Sequence, residues 1–227
     1  MFIFTLVNVS EEHKLIWVPF PNSGERTLAH FLGKRGFSNH SKHNDIENLS
    51  LGELNISFSH QILSEYENFD VICSVDNPYR LIVNQYKKFS TMNWSLKSNT
   101  KVILSRNFNE WIHPIIFDDI SQIDRLDKSH FFLFPFIEPE NVKTYYLRAD
   151  NQEKDLKNLG FFGKRGFGLK KQLLPDLSSS YKDVFSYEHA RIVYHLNKTT
   201  FDKLDYDPFS FTTRKLTIKE KVDFIHY

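Results

Sequence analysis

A turn between an apolar run and a helix-like stretch is the first place where this sequence could bind a ligand. Residues 15–20 are apolar, Pro21-Asn22-Ser23-Gly24 follows, and the next residues have the pattern of a helix. A strand that leads through a tight turn into a helix can hold phosphate, because the first helical N–H groups lack partners and point at the ligand. Asn22 stands where such a turn usually carries a phosphate-binding lysine. The segment predicts an anion site of unusual composition.

Histidines and one cysteine are the other side chains that could do chemistry. His60 is the candidate general base, because an imidazole can take a proton from a hydroxyl near neutral pH; a structural histidine at a strand end is the alternative. The same two interpretations apply to His130. His40 and His43 have no further ligands at zinc spacing, which favours a solvated loop over a metal pair. Cys73 lies in an apolar run, which favours a buried strand residue over a catalytic thiol.

Alternating strand and helix patterns must position these residues. Strands are predicted at the apolar runs 15–20, 69–75 and 144–148, and a further strand or hairpin arm within 1–14. Helices are predicted at 25–33, from Pro78 onward, at 150–159 and at 186–204, with a polar loop at 33–45. This order predicts a single α/β domain over residues 1–227, with three α/β/α layers and a central, mostly parallel sheet.

Composition limits the classes of partner. The 227 residues carry a net charge of +1, so we expect no broad binding to nucleic acid or to a membrane surface, and any anion site must be local. No stretch is long and apolar enough to span a membrane, and the N-terminal residues lack the features of a secretion signal. We therefore expect a cytoplasmic protein. The G-x-x-x-x-G-K-[ST] and G-x-G-x-x-G motifs are both missing, which disfavours an ATP-using P-loop kinase relative and a dinucleotide dehydrogenase.

Two segments carry a resemblance to a known family. Residues 21–28, PNSGERTL, are similar to a loop that usually reads P-K-[ST]-G-[ST]-[ST]-x-L. Residues 76–86, DNPYRLIVNQY, are similar without a gap to R-N-P-Y-D-R-L-V-S-A-Y. These are the 5′-phosphosulfate loop and the 3′-phosphate segment of sulfotransferases that use 3′-phosphoadenosine 5′-phosphosulfate (PAPS). The chain thus resembles the PAPS-dependent sulfotransferase family.

Further pieces extend the likeness in the same order along the chain. Residues 58–60 resemble the strand end that carries a histidine, and 129–135 resemble an H-x-x-P-Q region. Residues 146–150 and 201–206 resemble a later strand and the closing helix. The likeness leans toward the carbohydrate-modifying, Golgi-type branch, without its membrane anchor. It implies a P-loop NTPase-like sulfotransferase fold and sulfuryl transfer from PAPS to a hydroxyl of a carbohydrate or small molecule. It also implies 3′-phosphoadenosine 5′-phosphate as the product, and no metal.

The resemblance also implies roles for individual residues. His60 would be the base and Arg26 a catalytic cation. The phosphosulfate would bind to a loop made of Asn22, Ser23, Gly24, Glu25, Arg26 and Thr27. The 3′-phosphate would bind to Arg80, to Asn84 and to a basic turn that contains Lys164 and Arg165; the alternative for the last two is an unrelated basic turn.

The site departs from the family pattern in four places. Asn22 replaces the loop lysine, Glu25-Arg26 replaces two hydroxyl residues, and Asp76 and Asn84 replace the arginine and serine of the 3′-phosphate segment. Arg26 could supply the lost charge. Arg80 could either replace the arginine or pair with Asp76. Two hypotheses follow: an enzyme with a rebuilt site, or a non-catalytic binding protein with a degenerate nucleotide site.

Two further segments have alternative interpretations. Glu25 could act as a second base, or it could be an acidic residue that the helix dipole favours in a first turn. The phenylalanine-rich residues 131–136 could line an acceptor pocket, but core packing is favoured because large apolar side chains are usually buried.

Overall fold

The computed structural model describes residues 8–18, 32–33, 36–39, 66, 68–91, 107–110, 112, 142–159 and 181–226. They belong to two compact units. The first unit draws on residues 1–76 and 136–178, and the second on residues 77–135 and 179–227. The helices are α1 (Pro78–Thr91), α2 (Gln152–Asn158), α3 (Tyr187–Leu196), α4 (Lys198–Leu204) and α5 (Ile218–Ile225).

The first unit contains a mixed sheet. Its strands are β1 (Asn8–Ser10), β2 (Leu15–Val18), β3 (Ser38–Asn39), β4 (Asp70–Val75) and β5 (Thr144–Arg148), in the spatial order β3-β1-β2-β4-β5. Strands β2, β4 and β5 are parallel to one another, and β1 pairs antiparallel with β2 and with β3. The strands predicted from the three apolar runs are confirmed at these positions, and so is the hairpin arm before β2.

Strand β3 was not expected, because residues 33–45 have a polar, loop-like sequence. In the structure Ser38 pairs with Val9, and Asn39 pairs with Asn8. The two residues satisfy backbone groups of β1 that β2 does not reach, which is a tertiary requirement that local sequence does not reveal.

Continuous apolar sequence explains why β4 is an interior strand of the sheet, between β2 and β5. Val71 and Cys73 point to one face and Ile72 to the other, and all three are buried, as is typical of a parallel strand covered on both sides. One face of the sheet belongs to a buried cluster of Leu15, Trp17, Leu32, Phe37, Ile72, Leu147 and Leu156. Within this unit the Trp17 indole N–H donates to the Ser74 hydroxyl over 2.8 Å, so its one polar group is satisfied. The expectation that Cys73 is a buried strand residue is confirmed.

The second unit is helical and is built around aromatic side chains. The rings of Phe211 and Phe224 stack with their centroids 5.4 Å apart, and Tyr194 contacts both Phe201 and Phe224. The amphipathic pattern over 186–204 predicts one helix, and that prediction is wrong: α3 and α4 are separate helices on either side of Asn197. The Asn197 side chain donates to the Val193 carbonyl over 2.9 Å, and such local side-chain bonds compete with helix continuation.

The described elements form an α/β fold whose mixed sheet has three parallel strands on one side and an antiparallel edge on the other. None of the helices in the described part of the chain is both long and apolar enough to cross a membrane.

Candidate functional site

The predicted phosphosulfate loop and the predicted 3′-phosphate segment follow two adjacent parallel strands. Val18, at the end of β2, pairs with Cys73, and β4 continues two residues further to Val75. The carboxyl ends of β2 and β4 therefore meet at one edge of the sheet. In open α/β sheets ligands bind in the crevice outside the carboxyl ends of the strands. The chain leaves β2 at this edge and reaches Asn22 four residues later.

Most of the predicted site residues lie outside the residues that the structure describes. Their roles stay predictions. They are Asn22, Ser23, Gly24, Glu25, Arg26, Thr27, His60, Lys164 and Arg165. The histidines His40, His43 and His130 and the phenylalanine-rich residues 131–136 also lie outside the described ranges.

Asp76 is the first residue after β4. It is only 2% exposed, and it follows Val75, whose carbonyl accepts a hydrogen bond from the Ala149 N–H over 2.8 Å. A carboxylate is rarely buried to this degree, because losing its hydration is unfavourable unless other groups compensate. Asp76 therefore places a buried carboxyl group at the carboxyl edge of the sheet.

In the second unit, the start of α1 is fixed by Asn77. Its side-chain oxygen accepts the Tyr79 N–H over 3.0 Å, its own carbonyl accepts the Leu81 N–H over 3.0 Å, and its side-chain nitrogen donates to the Ser210 hydroxyl over 3.1 Å. Pro78 is the first helical residue, where a missing N–H has no consequence and the fixed φ suits a helix. The helix predicted to open at Pro78 is confirmed.

Tyr79 anchors this helix start in the aromatic core. Its ring is 0% exposed, and it lies 5.2 Å from the ring of Phe185 and 5.1 Å from that of Phe201. Its hydroxyl lies 2.8 Å from the Pro208 carbonyl oxygen and 3.3 Å from that of Ala190. Burial, and then the nearby Asp207 carboxylate, raise the pKa of Tyr79, so the phenol remains a donor. Sequence analysis did not identify Tyr79 as an anchor of α1, because the carbonyls that its hydroxyl contacts lie more than a hundred positions away in the chain.

Arg80 and Asn84 lie on the same side of α1, because residues four positions apart are neighbours on a helix surface. Arg80 is 5% exposed, and its guanidinium carbon lies 5.9 Å from the ring centroid of Tyr181, a cation–π distance. Asn84 is half-buried. This face of α1 thus joins a cation and an amide, two groups that can donate hydrogen bonds to an anion, with the cation held inside the unit rather than in solvent.

A second arginine, which sequence analysis did not single out, lies at the carboxyl end of β5 in the first unit. The Arg148 side chain donates twice to the Asp155 carboxylate, over 3.0 and 3.1 Å, and the Arg148 backbone N–H donates over 3.0 Å. The two side chains are 29% and 10% exposed. This fork-to-carboxylate pair fixes the turn from β5 into α2. The carboxylate that pairs with Arg148 is that of Asp155, seven positions further along the chain.

Metal chemistry has no candidate in the described residues. Within them, histidine, cysteine, aspartate and glutamate side chains form no group of three that could hold a metal ion.

Comparison with known proteins does not identify a family or a fold for this chain. No protein-family model, curated protein or solved structure matches the chain. The resemblance to sulfotransferases therefore depends on the sequence segments themselves and on the strands that carry them.

Proposed function

We propose that this protein has a P-loop NTPase-like sulfotransferase fold and transfers a sulfuryl group from an adenosine phosphosulfate, PAPS in the family it resembles, to a hydroxyl of a carbohydrate or small molecule. The acceptor oxygen attacks sulfur, the bond between sulfur and the 5′-phosphate oxygen breaks, and the hydroxyl proton passes to His60. The nucleotide 5′-phosphate leaves with the bonding electrons. Such a displacement needs a positioned acceptor, a base and stabilisation of the leaving phosphate.

One observation supports this proposal most directly: β2 and β4 are neighbours and run in parallel. The two segments that resemble the phosphosulfate loop and the 3′-phosphate segment each begin just beyond the carboxyl end of one of these strands. This adjacency brings the starts of both segments to one edge of the first unit's sheet, and ligands of open α/β sheets bind at that edge. The same two segments on distant or antiparallel strands would not support a common ligand.

The positive charge available in the loop of residues 22–27 determines whether the proposed enzyme can turn over its substrate. Loss of one preorganised donor to the transition state reduces kcat by a factor of about 100 to 1,000, or about 3–4 kcal/mol. Asn22 cannot supply the charge of the missing lysine. Arg26 is the cation within the same loop, so in the proposed enzyme it carries the stabilisation of the leaving phosphate.

Arg26→Ala tests this assignment. Product formation from PAPS and from adenosine 5′-phosphosulfate is followed by chromatography with a panel of sugar acceptors. We expect turnover to fall about 100-fold or more with an unchanged melting temperature. Lys154→Ala, which removes an exposed cation from α2, is the matched control and should retain full turnover. Equal turnover in Arg26→Ala and in the unmodified chain would refute the role of Arg26.

The second candidate function is non-catalytic binding at a degenerate nucleotide site. It is favoured by the replacements at Asn22, Asp76 and Asn84 and by the burial of Arg80 against Tyr181. The variant Asn22→Lys separates the two candidates. In a degenerate site the restored lysine should raise nucleotide affinity, whereas in a rebuilt site it should compete with Arg26 and lower it.

A further inference from the structure

Helix α5, in the second unit, presents apolar side chains to solvent. Ile218 is 84% exposed and Val222 is 51% exposed. They lie four positions apart, so they are neighbours on the helix surface, about 6 Å apart along the axis. Ile225 is half-buried and extends the same row three positions further. These three residues are termed the α5 stripe.

Side chains outside the α5 stripe hold the helix in its unit. Phe224 is fully buried, and its ring stacks on that of Phe211. Thr217 and Glu220 cap the start of the helix, since each side chain accepts the backbone N–H of the other residue over 3.2 and 2.8 Å. Because an apolar side chain stabilises a fold by leaving water, the exposed part of the stripe contributes little to the stability of this unit.

The exposed apolar side chains of the described residues lie close together in the fold. Besides Ile218 and Val222, the large apolar side chain exposed in this part of the chain is Leu196, at 54%, which ends α3. Helices α3 and α5 contact each other, because Nε2 of His195 lies 2.9 Å from the Phe224 carbonyl oxygen. Single exposed apolar residues are common, whereas several of them on one pair of helices are typical of an interaction surface.

Positive charge surrounds the α5 stripe. Residues 214–223 contain four arginine or lysine side chains and two carboxylates, and one of these carboxylates, that of Glu220, is bound by Arg214 over 2.8 Å. Lys219 and Lys221 are exposed, and they lie on opposite sides of the stripe because residues 218–222 make slightly more than one helical turn. The surface is thus apolar along its middle and positive along both borders.

We propose that the α5 stripe, with the exposed end of α3, docks an acidic segment of another protein, namely an amphipathic helix whose apolar row is bordered by aspartate or glutamate. The spacing of Ile218, Val222 and Ile225 is the spacing by which one helix packs against another. Carboxylates beside the partner's apolar row would meet Lys219 and Lys221, and such complementary charges select the partner and fix its register. The proposal does not depend on the proposed sulfuryl transfer.

Two other occupants fit this surface less well. A second copy of the chain would bring the same excess of cations against itself, and like charges across an interface are repulsive. An anionic membrane would attract the lysines, but a helix that lies in a membrane interface buries a broad apolar face there. Helix α5 offers a narrow row, since its largest apolar side chain, Phe224, is buried in the second unit.

Fluorescence anisotropy with two synthetic helical peptides tests the proposal on the full chain. Both peptides carry leucine at every third or fourth position, and the remaining positions are mainly glutamate in one and mainly lysine in the other. We expect the glutamate peptide to bind about tenfold more tightly or better. Ile218→Ser combined with Val222→Ser should weaken its binding by about tenfold at an unchanged melting temperature. Lys219→Glu should move the ratio of the two affinities toward one, whereas the same change at an exposed lysine of α2, Lys154→Glu, should leave the ratio as it is.

Other results overturn the proposal. Equal affinities for the two peptides, or no binding of the glutamate peptide at millimolar concentration, contradict it. A dimer in sedimentation equilibrium that the double serine variant abolishes would make the occupant a second copy. Binding to vesicles of phosphatidylserine and phosphatidylcholine that the same variant abolishes, without binding of the peptide, would make it a membrane surface. If the double variant does not fold, Lys219→Glu decides, since it changes no apolar side chain: an unchanged ratio contradicts the proposal.

Discussion

Tyr79→Phe removes one oxygen atom from the centre of the second unit, and the structure predicts how much that atom contributes to stability. The hydroxyl lies within hydrogen-bonding distance of the Pro208 and Ala190 carbonyl oxygens, and the ring is fully buried. A typical hydrogen bond contributes about 1 kcal/mol net, and a buried acceptor left without its partner adds about 1–3 kcal/mol. We therefore expect the free energy of unfolding to fall by about 2–3 kcal/mol.

Tyr187→Phe is the matched control. This hydroxyl also donates to a carbonyl, that of Glu220, but the side chain is only half-buried, so water can replace the lost donor. We expect a loss of about 1 kcal/mol or less. In urea, the midpoint of unfolding of Tyr79→Phe should move down by about 1 M relative to the unmodified chain, and that of Tyr187→Phe by clearly less. Equal shifts for the two variants would refute the reasoning that places the anchor of α1 at Tyr79.

Two other predictions concern the contribution of charged groups to stability. Asp155→Asn should lower the free energy of unfolding by about 2–3 kcal/mol in urea titrations, because it leaves the partly buried Arg148 guanidinium without its carboxylate, and a loss below about 0.5 kcal/mol would contradict this. Hydrogen bonds from Thr217, and then the Arg214 guanidinium, lower the pKa of Glu220 from 4.5 to about 2. Because the pKa is lower in the folded state, the stabilisation is complete above pH 4.5 and is lost as the pH falls toward 2. The melting temperature of Glu220→Gln should thus lie below that of the unmodified chain at pH 6, and the difference should vanish near pH 2. The exposed Glu188→Gln is the control, and a difference that does not change with pH would contradict the assignment.

The local sequence pattern was sufficient to predict the three parallel strands and the start of α1. The apolar runs that became β2, β4 and β5 are bounded by polar or turn-forming residues, and Pro78 can occupy only a few positions in a helix. Burial on both faces follows from the lack of alternation in residues 71–75. These features depend on neighbours in sequence, so the sequence alone predicts them.

Features that depend on distant partners could not be predicted in this way. Strand β3 exists because β1 offers unpaired backbone groups, and the role of Tyr79 depends on carbonyls at positions 190 and 208. At Asn197 the local pattern was misleading. The helical periodicity of the sequence continues across this residue, but the chain forms two helices, and the Asn197 side chain bonds to the Val193 carbonyl at the break. For the candidate site, the sequence placed Arg80 and Asn84 in the helix that opens at Pro78, but the burial of Arg80 against Tyr181 required coordinates.

The measurement that tests the central claim most directly is a crystal structure of the chain grown with adenosine 5′-phosphate. If the proposed function is correct, the phosphate lies about 3 Å from backbone nitrogens of residues 23–27, beyond the carboxyl end of β2, and the ribose lies beside Asp76. A nucleotide bound elsewhere on the protein, or crystals that contain none at a saturating concentration, would contradict the claim that these two segments form a sulfotransferase-type nucleotide site.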